Sequence, residues 1–414
     1  MTAPKSGWKR SRTAAVMLGA AILSTLGLQG HAMAGKGADW LQYGNDSGQS
    51  GFYAHEKSVG KKTVSKLQLV ASGGSAIQSP GLVLDRGVIY TASNDGTIYA
   101  LNADDFSTIW SAPQLAASLF GDLTPAVAGK IVMTPCNGTV NNNHVTGLCG
   151  LKAATGASAW NTFCDDCSIL NSPSVDDNLA FYQYNVEAGT AGTVYMAAVN
   201  TRNGKLAWQY AQPYHCPDNG LGSTQPIPVD NGRVYAPLGC QGAQQNENQI
   251  CAFDETSGAQ IWCTDYNDNY AEDVAANGTV YVTTGNGHVI AMDEGTGAVK
   301  WTATTVDWAF SRVATPDILY LGLVHDNGIV ALSTKTGAQL WAVSGGFGGL
   351  TVANGIVYAN VGGNNGHAIY ALDGKTGEFL WQSNEGNGSS DAREILSGGT
   401  IYAACYTMCA YKIP

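Results

Sequence analysis

Two sets of side chains in this sequence have the types and spacing to do chemistry. In the first, the stretch TDYNDNYAED gathers Asp265, Asp268, Glu272 and Asp273. Carboxylates at that density could ligate a hard divalent cation, and one of them could act as a general base. Further on, VDWAFSR carries Trp308 and Arg312, Arg393 stands at the corresponding later place, and His325-Asp326 lies on a neighbouring turn. A flat indole offers a stacking platform, and guanidinium groups offer partners for carboxylates. The plain alternative for each acid is a solvated loop residue or an Asx-turn former, and for Trp308 a packing aromatic. DYNDNY also lacks the turn glycine of an EF-hand loop.

The second set is ten cysteines. Their meaning depends on compartment. Lys5, Lys9, Arg10 and Arg12 precede an apolar run from Ala14 to Leu28 and then Ala32-Met33-Ala34. That order predicts a secretory signal over residues 1–34, removed after Ala34. The run is short for a membrane span, and no Cys follows the cleavage site, so no stable membrane anchor is expected. The destination is periplasmic or secreted, an oxidising setting in which paired cysteines are the simplest use of an even count.

Removing residues 1–34 removes four of 21 Lys plus Arg and none of 32 Asp plus Glu, so the mature chain carries 17 − 32 = −15. Such a surface repels phosphate backbones, and nucleic acid is not an expected partner.

These residues need a frame, and the sequence supplies one by repetition. Seven segments align on Trp: ALNADDFSTIW, GLKAATGASAW, AVNTRNGKLAW, AFDETSGAQIW, AMDEGTGAVKW, ALSTKTGAQLW and ALDGKTGEFLW. They end at Trp110, Trp160, Trp208, Trp262, Trp301, Trp341 and Trp381; six have Gly four residues before the Trp, and the first has Phe106 there. Turn-plus-strand signatures such as NGRVYAPL, NGTVYVTT and NGIVYANV precede most of them. "NG" and "TG" supply the positive φ of tight hairpins, so each unit reads as four short antiparallel strands with a packing Trp on the last. Lone four-stranded sheets leave faces wet, so the units must stack radially. An eighth unit begins near Gly398 without a fourth strand, and LQLVAS, Leu67 to Ser72, is expected to complete it. The expected fold is all-β: a single eight-bladed propeller over residues 35–414, closed by an N-terminal strand and monomeric.

The pattern A-x-D-x-x-T-G-x-x-x-W resembles the pyrroloquinoline-quinone (PQQ) type propeller repeat, and DWLQYGNDSGQSG, Asp39 to Gly51, resembles the segment that precedes such propellers. That family includes PQQ-dependent alcohol dehydrogenases and also cofactor-free scaffolds, such as the propeller subunit of the outer-membrane β-barrel assembly machinery.

In this strand order, the loops joining strands two to three and those between blades share one face, and all ten cysteines fall there. Cys136–Cys149, Cys240–Cys251 and Cys405–Cys409 are expected to close hairpin loops. Cys164 and Cys167 pair with each other or with Cys216 and Cys263. Zinc binding by these four competes with oxidation, and no metal is assigned. The polar stretches PCNGTVNNNHVTGLC, YNVEAGTAGT, QPYHCPDNGLGSTQP and CQGAQQNENQIC are expected to be long loops walling one side of this face.

The resulting expectation is an exported scaffold that binds a protein, peptide or glycan through its disulfide-stapled face. The alternative is a PQQ- and calcium-dependent dehydrogenase oxidising an alcohol or sugar. It would stack the quinone on Trp308, hold its carboxylates with Arg312 and Arg393, and draw cation ligands and a base from Asp265, Asp268, Glu272, Asp273 and Asp326. Dehydrogenases of the family commonly carry adjacent cysteines over the quinone, and no Cys-Cys pair occurs here.

Overall fold

The computed structural model describes residues 39–73, 81–93, 95–113, 124–140, 143–164, 167–169, 171–188, 191–215, 225–238, 248–266, 268, 271–325, 328–361, 368–383, 393–405 and 407–414. By internal contacts the chain divides into Met1–Met33 and Ala34–Pro414, and the described residues all belong to the second unit. The expected signal segment, Asp326, Cys216 and Cys240 lie outside the described residues.

The described strands form eight antiparallel sheets, the blades of a propeller. Blades 1 to 7 follow chain order at residues 82–112, 126–161, 167–215, 229–265, 271–304, 309–343 and 347–382. Blade 8 takes Ile395–Ser397, Thr400–Ala404 and Met408–Lys412, and its outer strand is Gln68–Gly73, paired antiparallel to Met408–Lys412. Closure from the N-terminal side is as expected, and it leaves the ring without a gap that could pair with a stranger.

The hairpins follow their sequences. At Asn231-Gly232, Asn277-Gly278 and Asn354-Gly355 both residues take positive φ, as a two-residue hairpin matched to strand twist requires. The glycine of the other hairpin has a second duty. A Cβ on Gly156 would lie 2.5 Å from the Trp110 ring, and the same holds for Gly204 on Trp160, Gly258 on Trp208 and Gly337 on Trp301. Each indole thus lies flat on the next blade's hairpin. Its Nε1 donates to a carbonyl there: Trp110 to Ala153 (2.8 Å), Trp208 to Glu255 (2.7 Å), Trp301 to Thr334 (2.7 Å) and Trp341 to Gly374 (3.0 Å). The Trp–Gly spacing is therefore an inter-blade latch.

One latch is built in reverse. In blade 8 the register place of the Trp, opposite Ala410, belongs to Ala71. The glycine place in blade 1 belongs to Phe106, which adopts φ +60°, is buried, and meets Tyr402 edge-on. The aromatic has moved across the seam.

The segment before the blades binds the innermost strands almost in full sequence. Trp40 exchanges backbone hydrogen bonds with Leu84 of blade 1, and Leu41 O accepts from Val127 N of blade 2. The Gln42 side chain pairs with the backbone of Val175 in blade 3. Ser47, Gly48, Ser50 and Gly51 carbonyls accept from Val229, Ala275, Ala314 and Val352 of blades 4 to 7. Phe52–Tyr53 then pairs parallel with Phe347–Ala353. All these partners lie near the first hairpin of their blade, so residues 39–53 form a belt around the axis on the face opposite the disulfides.

Candidate functional site

Two regions position polar and aromatic groups. The first is the axis. Glu272 and Asp273 lie on Ala271–Ala276, the innermost strand of blade 5, and Arg312 on Ala309–Ala314, that of blade 6; Arg393 directly precedes Ile395–Ser397. Glu272 and Asp273 were expected as loop acids and Arg312 in the loop that carries Trp308, but all three lie on strands. Innermost strands are covered on both faces, so their acids and cations are held by pairing rather than by solvent.

Arg312 ion-pairs with Glu272, donates to Ala309 O at 2.8 Å and reaches Thr283 Oγ1 at 3.3 Å, with both charged residues about 2% exposed. Arg393 donates to the Arg312 carbonyl at 3.1 Å and lies 4.4 Å from the centre of the Tyr43 ring. Burial pushes the Asp273 carboxyl up to about 8, and does the same to Glu394.

The remaining candidates do not join this cluster. Asp265 ends the outer strand of blade 4, exposed, accepting from Gln249 at 2.7 Å. Trp308 is half-buried, and its carbonyl accepts from Val324. Asp268 is buried and accepts from Thr284 and Asn286, and it holds His288 Nδ1 at 2.7 Å with that imidazole half exposed. Among the described residues no three His, Cys, Asp or Glu side chains converge as a metal site. Glu272 is thus committed to Arg312 and Asp268 to His288, and the candidates Asp265, Asp268 and Trp308 stand apart from Glu272, Asp273, Arg312 and Arg393.

The second region is a raised wall. Two of the stretches expected to be polar loops, and the start of a third, are instead parts of ten-residue strands: Ile131–Val140 with Asn143–Lys152 in blade 2, and Leu179–Ala188, Ala191–Asn200 and Leu206–His215 in blade 3; residues 216–224 and 239–247 of the others lie outside the described residues. Pairing runs the length of these hairpins, broken only by a register shift at Ala198/Val199, and outweighs their polar composition. Among the described residues the other blades use strands of at most seven residues, so these hairpins stand above the disc.

Disulfides staple the wall. Cys136–Cys149 crosses the blade 2 hairpin, and Cys164–Cys167 closes the turn into blade 3, where Thr146 pairs with Cys164. Cys405–Cys409 forms as expected. The expected Cys240–Cys251 pairing is overturned: Cys251 is bonded to Cys263, directly opposite on the adjacent strand with Cα atoms 4.1 Å apart. Loop-closing spacing pointed to Cys240, but strand register brings Cys263 closer.

On the wall face toward blade 2, Tyr182, Tyr184 and Tyr195 form a stacked row, with Tyr184 and Tyr195 rings 4.8 Å apart and nearly parallel at 9°. The sequence signal for this row was period-two alternation in FYQYN and TVYMA around a short turn. His288 had no comparable signal, because its meaning comes only from Asp268.

A family sequence profile described as "Outer membrane protein assembly factor BamB" matches residues 7–166, 140–240, 190–344 and 317–411. Tetrathionate hydrolase of Acidithiobacillus ferrooxidans is 26% identical over 324 residues, covering 71% of this chain and 55% of that protein. This chain therefore spans about half the length of that relative. Among solved structures, quinohemoprotein alcohol dehydrogenase ADHIIG of Pseudomonas putida HK5 superposes with TM-score 0.68 at 15% identity, covering 91% of this chain and 80% of that one. BamB of Moraxella catarrhalis gives 0.59 at 16%, covering 84% and 97%. At these identities the structures share the fold.

Proposed function

Because the chain belongs to the PQQ-repeat family described as outer membrane protein assembly factor BamB, we propose that it is an exported binding scaffold. Its raised wall over blades 2 and 3 engages a protein, peptide or glycan. The observation that carries this reading is the wall itself: long paired hairpins with two disulfides, raised above the strands of the other blades among the described residues. A rigid body with one elaborated face suits recognition. At the axis only the Arg312–Glu272 charges pair, while Asp273 Oδ2, Arg393 Nε and Nη1 and both Glu394 oxygens are buried without a hydrogen-bond partner among the described residues. A photocrosslinking residue at exposed Gln209 on the wall, compared with one at exposed Arg202 on the opposite face, tests the reading in cells. A defined adduct from position 209 alone supports it; equal labelling from both sinks it.

One observation favours a hydrolytic reading beside it. Asp268 fixes the His288 imidazole with Nδ1 occupied, the arrangement of an oriented general base. The similarity to tetrathionate hydrolase gives that arrangement a reaction to try. Purified protein would be incubated with tetrathionate, and His288→Ala should lower turnover by about 100-fold. No turnover by the parent protein ends this reading.

A further inference from the structure

The stapled wall carries a row of aromatic side chains that is partly open to solvent among the described residues. Leu206–His215 runs ten residues, and the facing outer strand of blade 2, Ser158–Asn161, is continued to Cys164 by hydrogen bonds from Thr162 N to Leu148 O and from Cys164 N to Thr146 O. On the outer strand of blade 3, Gln209, Ala211 and Pro213 are exposed on the side of the tyrosine row. Tyr184, Tyr195 and Ala211 lie in line across its three strands in register.

The row of rings has a closed end and an open end. Tyr182 is buried and anchored near Thr162, with Tyr182 Oη 3.3 Å from Thr162 Oγ1. Tyr184 stacks between Tyr182 and Tyr195, and its hydroxyl donates to Gln209 at 3.3 Å. Tyr195 is the last ring and half-buried, and the residue opposite it on the outer strand is the small, exposed Ala211. No bulky side chain in that register position screens the terminal phenol. Exposed Gln209 and Pro213 and half-buried Thr193 share the same strand faces.

Charge decides what such a surface takes. The three strands contain no Lys or Arg, and Glu187 is their single acid. Phosphate- or sulfate-bearing ligands find no cation there, and a basic peptide finds almost no anion. An uncharged ligand with one flat apolar face and a rim of hydroxyls matches the phenol platform and the amide and hydroxyl groups beside it. We propose that the Tyr184–Tyr195 platform binds a neutral oligosaccharide, one pyranose ring stacked on Tyr195 and its hydroxyls bonded to Gln209 and Thr193. This rests on the scaffold reading and names its ligand class.

The test uses the purified full chain titrated with uncharged hexaoses of glucose, xylose and N-acetylglucosamine, followed by calorimetry and tyrosine fluorescence. Saturable binding to one of them is expected. Tyr195→Ala should weaken it by about tenfold or more, while Tyr195→Phe should change it by less than about threefold, because the ring face is kept. The thermal midpoints of both variants report folding, so lost binding with an unchanged midpoint assigns the effect to the platform. Absence of saturable binding to every sugar, or equal affinity of the alanine variant, overturns the proposal. A proline-rich peptide bound at Tyr195 in place of sugars also overturns it yet leaves the scaffold reading standing, whereas the crosslinking comparison tests that reading separately.

Discussion

Phe106 of blade 1 and Tyr402 of blade 8 meet edge-to-face with ring centroids 6.5 Å apart, at the one seam where no tryptophan joins neighbouring blades. In blade 1 the equivalent tyrosine, Tyr90, packs on its own blade's Trp110. At the seam, Ala71 takes the indole's register position and Phe106 takes the glycine's, so ring and space are exchanged. Phe106→Gly should relieve the left-handed strain but open a cavity, for a net loss of about 1–3 kcal/mol. Ala71→Trp alone should also destabilise. The double variant rebuilds the latch of the other blades and should recover at least about 1 kcal/mol over additivity in urea unfolding; simple additivity would refute the exchange.

The Arg312–Glu272 pair is buried, so losing one partner costs more than losing both. Arg312→Met leaves a buried carboxylate alone and should cost about 3–5 kcal/mol. Adding Glu272→Leu should return most of it. Chemical denaturation of the two variants side by side decides the matter, and a double variant no better than the single would contradict the pairing.

Asp273 and Glu394 give stability a pH slope of known sign. Each is pushed up to about 8 by burial. Between the ordinary carboxylate range and about 8 the folded state holds protons that the unfolded state has released, so stability falls as pH rises through that window. Above it the loss is complete, and near pH 4 it is absent. Glu394→Gln should flatten the slope and be relatively more stable at pH 8 than at pH 5. Urea midpoints across pH 4–9 measure this; parallel curves for parent and variant would exclude the residue.

Gly48 passes so close to blade 5 that a Cβ would sit 2.2 Å from the Ala275 carbonyl oxygen. Gly48→Ala should therefore displace the belt at that point and cost several kcal/mol, of the order of ~3. Hydrogen exchange should then show faster loss of protection at Ala275 and its neighbours Val229 and Ala314. Unchanged exchange there would mean that the belt carries little.

The architecture was legible because its determinants are local. Turn glycines, period-two strands and a Trp at fixed spacing specify each hairpin, and the incomplete eighth unit pointed to residues near 67–72. The site was less legible because it depends on register between strands. Cys251 was assigned by loop spacing to Cys240, whereas the strand beside it offers Cys263. The polar run from Cys136 to Cys149 read as loop because composition was weighed above pairing. Glu272 read as a solvated loop acid and Arg312 as a partner for a ligand's carboxylates because nothing in one sequence says that two oppositely charged residues, forty positions apart, meet across the innermost strands of neighbouring blades. Phe106 was noticed as an exception, but its reason lies at Ala71, on the far side of the closure.

A circle of repeats held only by neighbour contacts would be expected to fray at its weakest spoke and melt piecemeal. The belt of residues 39–53 changes that physics, because one continuous strap grips seven spokes at the hub. Loosening any single spoke tugs on an anchor shared by the others, so local opening is converted into a collective, all-or-none event.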